Sequence, residues 1–143
     1  MIRIFALCLA LILSAAFAAQ QPAQAQEMLA PNPDIEATIG AQFDAFRRED
    51  IQDAWQYASP MIQGLFGNPD RFGQMVQNGY PMVWDPAQVE FIDLQTLGGV
   101  IVQRVEVVDQ AGTLHYLGYA MVETENGWRI NAVQVLRAPA LGA

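Results

Sequence analysis

The stretch VIVQRVEVVDQAGTLHYLGYAMVETENGWRINAVQVL, residues 100–136, decides the fold, because polar and apolar side chains alternate along it in three separate runs. Alternation with a period of two is typical of a half-buried β-strand, and the first run is rich in β-branched residues. Two glycine-containing segments that favour turns, residues 110–112 and 125–127, separate the runs. The stretch therefore predicts three consecutive antiparallel strands, over residues 100–109, 114–123 and 128–136.

The segments before this meander add a fourth strand and a set of helices. Residues 89–97 alternate in the same way and end at Gly98-Gly99, which predicts one more hairpin. Apolar residues recur at helical spacing further upstream, as in Ile35, Ile39 and Phe43. Four residues that favour the N-cap position open such stretches, three of them directly before a proline, and this pattern marks helix starts: Asn32, Asp50, Ser59 and Asn68.

Helices followed by an antiparallel meander predict an α+β fold, in which N-terminal helices pack on one face of a curved sheet of about four strands. We expect a single domain over residues 34–137, since a chain of this length supports one compact core. Residues 26–33 are predicted to form a flexible linker before that domain, and residues 138–143 a short tail after it.

The first 25 residues have the layout of a secretory signal peptide. Arg3 supplies a positive charge, an apolar run follows over residues 4–19, and the chain then turns polar. Small residues permit cleavage after Ala18 or after Ala25, and the second site leaves a leader of conventional length. We therefore expect an exported protein, periplasmic or extracellular, with no membrane segment after the signal peptide is removed.

Composition excludes several chemistries. The only cysteine, Cys8, lies within the predicted leader, so the mature chain has no thiol nucleophile and no disulfide. All seven basic residues are arginines, which excludes Schiff-base chemistry on a lysine. The net charge of -8 makes nucleic acid a poor partner, because an acidic surface repels phosphate. Metal-binding motifs such as HExxH or DxDxD are lacking, and we predict neither a metal site nor a cofactor.

Two blocks resemble known families. FDAFRREDIQDAWQYASP, residues 43–60, resembles the opening of the nuclear-transport-factor-two-like fold group, which includes ketosteroid isomerases and polyketide cyclases. ASPMIQGLFGNPDRFGQMVQNGYPMVW, residues 58–84, is similar to a bacterial family catalogued as domain of unknown function 4864. The later segments Gln103-Arg104-Val105 and Gly127-Trp128-Arg129-Ile130 fit the same family, and the resemblance covers residues 35–136.

The resemblance implies a cone in which a curved sheet and helices enclose a pocket, often within a homodimer. Enzymes of the group place a carboxylate, a histidine or a tyrosine inside that cone, whereas the narrower family carries no activity that can be transferred. On this fold, six aromatic residues are candidates to line the pocket: Phe43, Trp55, Tyr80, Trp84, Tyr119 and Trp128.

Three residues are candidates for catalysis. Asp53 and Tyr57 lie four apart and share a helix face, although a solvated surface position also explains Asp53. His115 is the only histidine and lies on a predicted strand, where it is either a pocket acid–base or an ordinary hydrogen-bonded side chain. Ser59 precedes Pro60 without a Gly-x-Ser-x-Gly motif, so we interpret it as a helix cap and not as a nucleophile.

These observations favour a non-catalytic module that binds a small apolar ligand or a protein partner, because a pocket is expected while no nucleophile, metal cluster or cofactor motif is found. The alternative is a small enzyme of isomerase, cyclase or dehydratase type that uses a pocket Asp, or His115, together with a Tyr. A third hypothesis is a structural dimer whose sheet faces form the interface. The side chains that line the pocket distinguish the three.

Overall fold

The computed structural model describes residues 26–137, so the predicted signal peptide and C-terminal tail lie outside the described residues. Within these residues, five helices come before the main part of the sheet. They are α1 (Pro33–Arg47), α2 (Ile51–Gln56), α3 (Pro60–Phe66), α4 (Pro69–Gly79) and α5 (Pro81–Trp84). None of these described helices is long and apolar enough to cross a membrane.

The described part of the chain forms a sheet of five antiparallel strands, and their spatial order follows the chain. They are β1 (Glu27–Leu29), β2 (Gln88–Leu97), β3 (Val100–Val108), β4 (Leu114–Thr124) and β5 (Gly127–Leu136). The hairpins turn where the sequence predicts them, and Gly112 and Gly127 adopt φ angles of 84° and 97° there. Glycine suits these two positions, because L side chains are strained at such angles.

The prediction of about four strands is wrong by one, and the predicted linker over residues 26–33 contains the additional strand. In β1, Glu27, Met28 and Leu29 pair in register with residues 96, 95 and 94 of β2. A strand of three residues is too short to show a period of two, and its position depends on the β2 edge, which is distant in sequence. The α+β class is confirmed.

The predicted helix caps are confirmed at all four positions. The side chain of Asn32 accepts from the backbone N–H groups of Asp34 and Ile35, and Asp50 Oδ1 accepts from Asp53 N at 3.0 Å. Ser59 Oγ accepts from Ile62 N at 3.2 Å, and Asn68 Oδ1 accepts from Arg71 N at 2.9 Å. Each cap satisfies a backbone donor that the first helical turn leaves unpaired.

The core lies between the helices and one face of the sheet. Helix α1 contributes its apolar stripe through Ile35, Ile39, Phe43 and Phe46. The sheet contributes alternate residues of its three central and C-terminal strands, among them Val105, Val107, Leu117, Tyr119, Met121 and Ile130. The helices therefore lie over β5, and the candidate site lies between the helices and this strand.

Candidate functional site

An apolar cavity of about 250 Å³ lies between the helices and β5. Helices α1, α3, α4 and α5 form one side, and β5 forms the other. The aliphatic and sulfur-containing residues on the helical side are Ile62, Leu65, Met75, Val76 and Val83, and those from β5 are Ile130, Ala132 and Val133. Among the lining residues, Leu65 of α3 is 73% exposed, so the cavity wall reaches the surface at this residue.

Three phenylalanine rings form the aromatic part of the cavity wall. The ring of Phe72 is buried, and its centroid lies 6.0 Å from that of Phe46 and 5.9 Å from that of Phe66. Aromatic pairs at such distances stabilise each other by about 0.5–1.5 kcal/mol beyond the area that they bury. The three rings come from α1, α3 and α4, so their packing holds these helices in position around the empty space.

The wall is attached to the sheet at the junction between α2 and α3. Ala58 forms an isolated parallel bridge with Ile130 of β5. Ile130 N donates to Tyr57 O, and Ser59 N donates to Ile130 O, both at 2.8 Å. An edge strand leaves such backbone groups unpaired, and here the chain between two helices satisfies them.

Ser59 strengthens this attachment with its side chain. Its hydroxyl donates to Asn131 Oδ1 at 2.8 Å and also caps α3, while the whole residue is only 1% exposed. Asn131 is the additional residue of a β-bulge, because Ala120 and Met121 pair with residues 132 and 130. The bulge brings the side chain of Asn131 to the start of α3. Ser59 is therefore a structural helix cap, as the sequence predicts.

Two polar side chains line the cavity, Gln42 and Tyr80. Gln42 is 5% exposed and donates from Nε2 to Ala54 O at 3.1 Å. Tyr80 is half-buried, and its hydroxyl donates to Val133 O at 3.2 Å, on β5. No charged side chain lines this cavity within residues 26–137.

Tyr119 lies in the core beside this region and not on the cavity wall. Its ring centroid is 6.0 Å from that of Phe43, and the residue is 1% exposed. Burial, with a smaller effect from Tyr80, raises the pKa of Tyr119 well above its ordinary value. Among the described residues, Tyr119 Oη is the one buried side-chain polar atom without a hydrogen-bond partner.

Of the six aromatic residues predicted to line a pocket, the structure places Tyr80 on the cavity wall. Phe43 and Tyr119 are core residues. The remaining three, Trp55, Trp84 and Trp128, are partly buried against the core. Trp84 packs on Phe46 at 5.6 Å between ring centroids, and Trp55 packs on Phe72 at 5.5 Å. These two tryptophans therefore contact residues that line the cavity without lining it themselves.

Asp53 and Tyr57 lie at α2, outside the cavity lining. Asp53 Oδ2 accepts from Arg48 Nη2 at 2.7 Å, and its other oxygen accepts from the side chain of Gln56. Tyr57 is partly buried against the core and follows the last residue of α2. The carboxylate is therefore held in a surface ion pair, while the tyrosine contributes packing.

His115 lies at the start of β4 and bonds to the turn between β3 and β4. Its Nε2 is 2.8 Å from Asp109 Oδ2, and Asp109 also accepts from the backbone N–H groups of Ala111 and Thr113. Hydrogen bonding from His115, and then from Thr113, lowers the pKa of Asp109. The pair closes a hairpin, and neither residue lines the cavity.

A second, polar groove lies where α2 and α3 meet the β4–β5 turn. Its lining includes Gln56, Gln63, Glu125 and Arg129. Arg129 Nη1 donates to its neighbour's carbonyl, Trp128 O, at 2.7 Å. Glu125 adds a carboxylate to the same groove. The lining therefore contains one negative and one positive side chain, and it favours neither anions nor cations. Within residues 26–137, no group of three or more acidic, histidine or cysteine side chains is arranged to hold a metal ion.

The resemblance implies an enclosed pocket, but no local pattern in the sequence indicates that a cavity lies between α3, α4 and β5. The position of Gln42 is detectable in the sequence, because this polar residue lies between Ile39 and Phe46 on the buried face of α1. A polar residue on an apolar stripe indicates either a buried hydrogen bond or a polar point in a binding site.

The chain belongs to the family of the domain of unknown function DUF4864, whose family model matches residues 28–143. The resemblance found in the sequence to this family is therefore confirmed. No curated protein and no solved structure matches the chain.

Proposed function

We propose that this protein is a non-catalytic binding module that takes a small, uncharged, apolar ligand into the cavity between the helices and β5. The observation that carries the proposal is the lining, which consists of apolar side chains apart from Gln42 and Tyr80. A concave apolar site with a few fixed polar groups is the usual form of a small-molecule site.

The size of the cavity limits the ligand. A dry apolar cavity of about 150 Å³ binds benzene, whereas sites for drug-sized molecules begin at roughly 300 Å³. The cavity of about 250 Å³ lies between these values. It therefore suits a compact molecule such as a single ring with a short alkyl chain.

The positions of the catalytic candidates support binding over catalysis. Asp53 is paired with Arg48, and His115 is paired with Asp109 at a hairpin, so each bonds outside the cavity. A general acid or base has to lie within hydrogen-bond reach of the atom that it protonates or deprotonates. An isomerase-type mechanism in this cavity would lack its base among the described residues.

Binding of butylbenzene, measured by isothermal titration calorimetry on residues 26–143, tests the proposal. We expect saturable 1:1 binding that is lost in Ile62→Trp, because the larger ring fills the cavity from α3. Leu114→Trp is the matched control, since it adds the same ring at an exposed site on β4. Absence of binding to the wild type, or equal binding to both variants, would overturn the proposal.

We infer further that the protein is exported and that its fold is the cone of the nuclear-transport-factor-two-like group. The layout of residues 1–25 supports export, and helices packed on one face of a bulged antiparallel sheet support the cone. The intact mass of the protein from the cell envelope should correspond to a chain that begins at Gln26. A full-length chain in the cytoplasm would contradict export, and an experimental structure with a flat sheet would contradict the cone.

A further inference from the structure

The cavity offers two side-chain oxygen acceptors to a ligand. Its two polar residues, Gln42 and Tyr80, each donate one hydrogen to a backbone carbonyl of the protein. Among the described lining side chains, two oxygen acceptors and the second amide hydrogen of Gln42 therefore remain for a ligand, so acceptors outnumber donors. This arrangement selects among apolar ligands by the polar group that they carry.

The orientation of the Gln42 amide follows from its partner. Ala54 O is a backbone carbonyl and can only accept, so Nε2 and not Oε1 faces it, at 3.1 Å. Gln42 Oε1 accepts no hydrogen bond among the described residues. This oxygen is not fully buried, because Tyr119 Oη is the one fully buried side-chain polar atom without a partner in that part of the chain. Since Gln42 is 95% buried and lines the cavity, we take its carbonyl oxygen as an acceptor available to a ligand there.

Tyr80 adds a second acceptor at the β5 side. Its hydroxyl hydrogen is used on Val133 O at 3.2 Å. A phenolic oxygen that donates its hydrogen still has lone pairs and can accept. The β5 carbonyl thus fixes the direction of the hydroxyl and leaves the oxygen free toward a ligand.

We propose that the ligand is a neutral alcohol or phenol with a compact apolar body, bound through its hydroxyl hydrogen to Gln42 Oε1 or Tyr80 Oη. The inference rests on the proposed function, which supplies the apolar part of the ligand. A carboxylate is disfavoured, because the described cavity lining holds no cation and presents oxygen atoms to it. An ammonium group is disfavoured because its burial without a countercharge is costly.

Three matched ligands test this inference: 4-propylphenol, 4-propylanisole and propylbenzene. They share one apolar body, but only the phenol carries a donor. An unpaired hydroxyl loses its hydration on burial, so without a partner the phenol binds more weakly than propylbenzene. With an acceptor in the cavity, we expect the phenol to bind about tenfold more tightly than the anisole, which corresponds to one hydrogen bond.

Two variants locate the acceptor. Gln42→Met keeps the length of the side chain and removes the carbonyl, and Tyr80→Phe removes only the hydroxyl. In at least one variant, we expect the phenol and the anisole to bind with about equal Kd, while the Kd of propylbenzene is unchanged. Because Gln42 also bonds to Ala54, circular dichroism and thermal melting establish that each variant is folded, and Tyr80→Phe decides the matter if Gln42→Met does not fold.

The outcomes separate the two proposals. If none of the three compounds binds to the wild type, the proposed function fails and the inference fails with it. If propylbenzene and 4-propylanisole bind as tightly as 4-propylphenol, the cavity is a binding site but the donor requirement is wrong. Full preference for the phenol in both folded variants would likewise overturn the assignment of the acceptor.

Discussion

At the scale of single residues, Tyr119 stands out because its hydroxyl is buried and has no partner in the described part of the chain. A buried polar group without a hydrogen bond costs about 1–3 kcal/mol. We expect Tyr119→Phe to raise the free energy of unfolding by about 1 kcal/mol, measured by urea denaturation. The ring, which packs on Phe43, remains in place.

Tyr80→Phe is the matched control for Tyr119→Phe, because it removes a hydroxyl that does have a partner, Val133 O. This control should lower the free energy of unfolding by about 1 kcal/mol. If Tyr119→Phe lowers stability as Tyr80→Phe does, then the hydroxyl of Tyr119 is satisfied in solution, for example by a buried water.

Asp93 makes stability depend on pH. Hydrogen bonds from the Arg104 guanidinium, on the neighbouring strand, lower the pKa of Asp93 below its ordinary value, although burial opposes this. The folded pKa then lies below the unfolded pKa of about 3.9, so the contribution to stability is present above pH 4. It is lost as the pH falls through the folded pKa.

Asp93→Asn should therefore reduce the free energy of unfolding by about 1 kcal/mol at pH 7. The variant should also lose less stability than the wild type between about pH 5 and pH 2. Urea denaturation across this range measures both effects, and Glu123→Gln, at an exposed position of β4, is the control. Parallel pH profiles of the wild type and Asp93→Asn would contradict the role of the pair.

At the scale of elements, α3 is the least buried part of the cavity wall, since none of its residues is fully buried. Its position depends on its first turn, where Ser59 caps the helix and bonds to Asn131 of the β5 bulge. Ser59→Ala should cost about 1–2 kcal/mol, because it removes a cap and a buried hydrogen bond together. Chemical denaturation measures this loss.

Asn68→Ala provides the comparison for Ser59→Ala, because Asn68 caps α4 at an exposed site and, among residues 26–137, makes no further side-chain hydrogen bond of this kind. It should cost about 1 kcal/mol or less. A double-mutant cycle between Ser59 and Asn131 should give a coupling energy of about 1 kcal/mol. If the two substitutions are simply additive, then the contact between α3 and β5 does not stabilise the protein.

The sequence predicts elements well where the signal is local. The N-caps at Asn32, Asp50, Ser59 and Asn68, and the glycine-containing hairpins, depend on hydrogen bonds within a few residues, and all are found. The sequence does not predict strand β1 or helix α5, because a segment of three or four residues is too short to show a periodic pattern of apolar side chains. Strand β1 depends on pairing with β2, about 65 residues away along the chain.

The candidate site was less predictable than the elements. Six aromatic residues are predicted to line a pocket, but five of them pack in the core or against it, because large rings bury much area where packing is close. The cavity arises where short helices leave space against β5, and this depends on how α3 and α4 are placed in three dimensions. Only Gln42, a polar residue on an apolar stripe, pointed to it locally.

At the scale of the whole molecule, the cavity lies between the helical half of the chain and the last strand, so a ligand there would join the two halves. A ligand that binds only the folded state stabilises it by about 2.7 kcal/mol at a concentration of one hundred times its Kd. We expect 4-propylphenol to raise the melting temperature by several degrees, and Ile62→Trp to abolish this rise. An equal rise in Ile62→Trp would place the ligand elsewhere.

A methyl NMR titration of residues 26–143 with 4-propylphenol tests directly whether this cavity binds a ligand. We expect shifts confined to methyl groups on the cavity wall, such as those of Ile62, Val76 and Ile130. The methyl groups of Val100 and Leu114, which are exposed elsewhere on the sheet, should stay unchanged. Shifts at those exposed methyl groups, or at none, would contradict the claim that this cavity binds a ligand.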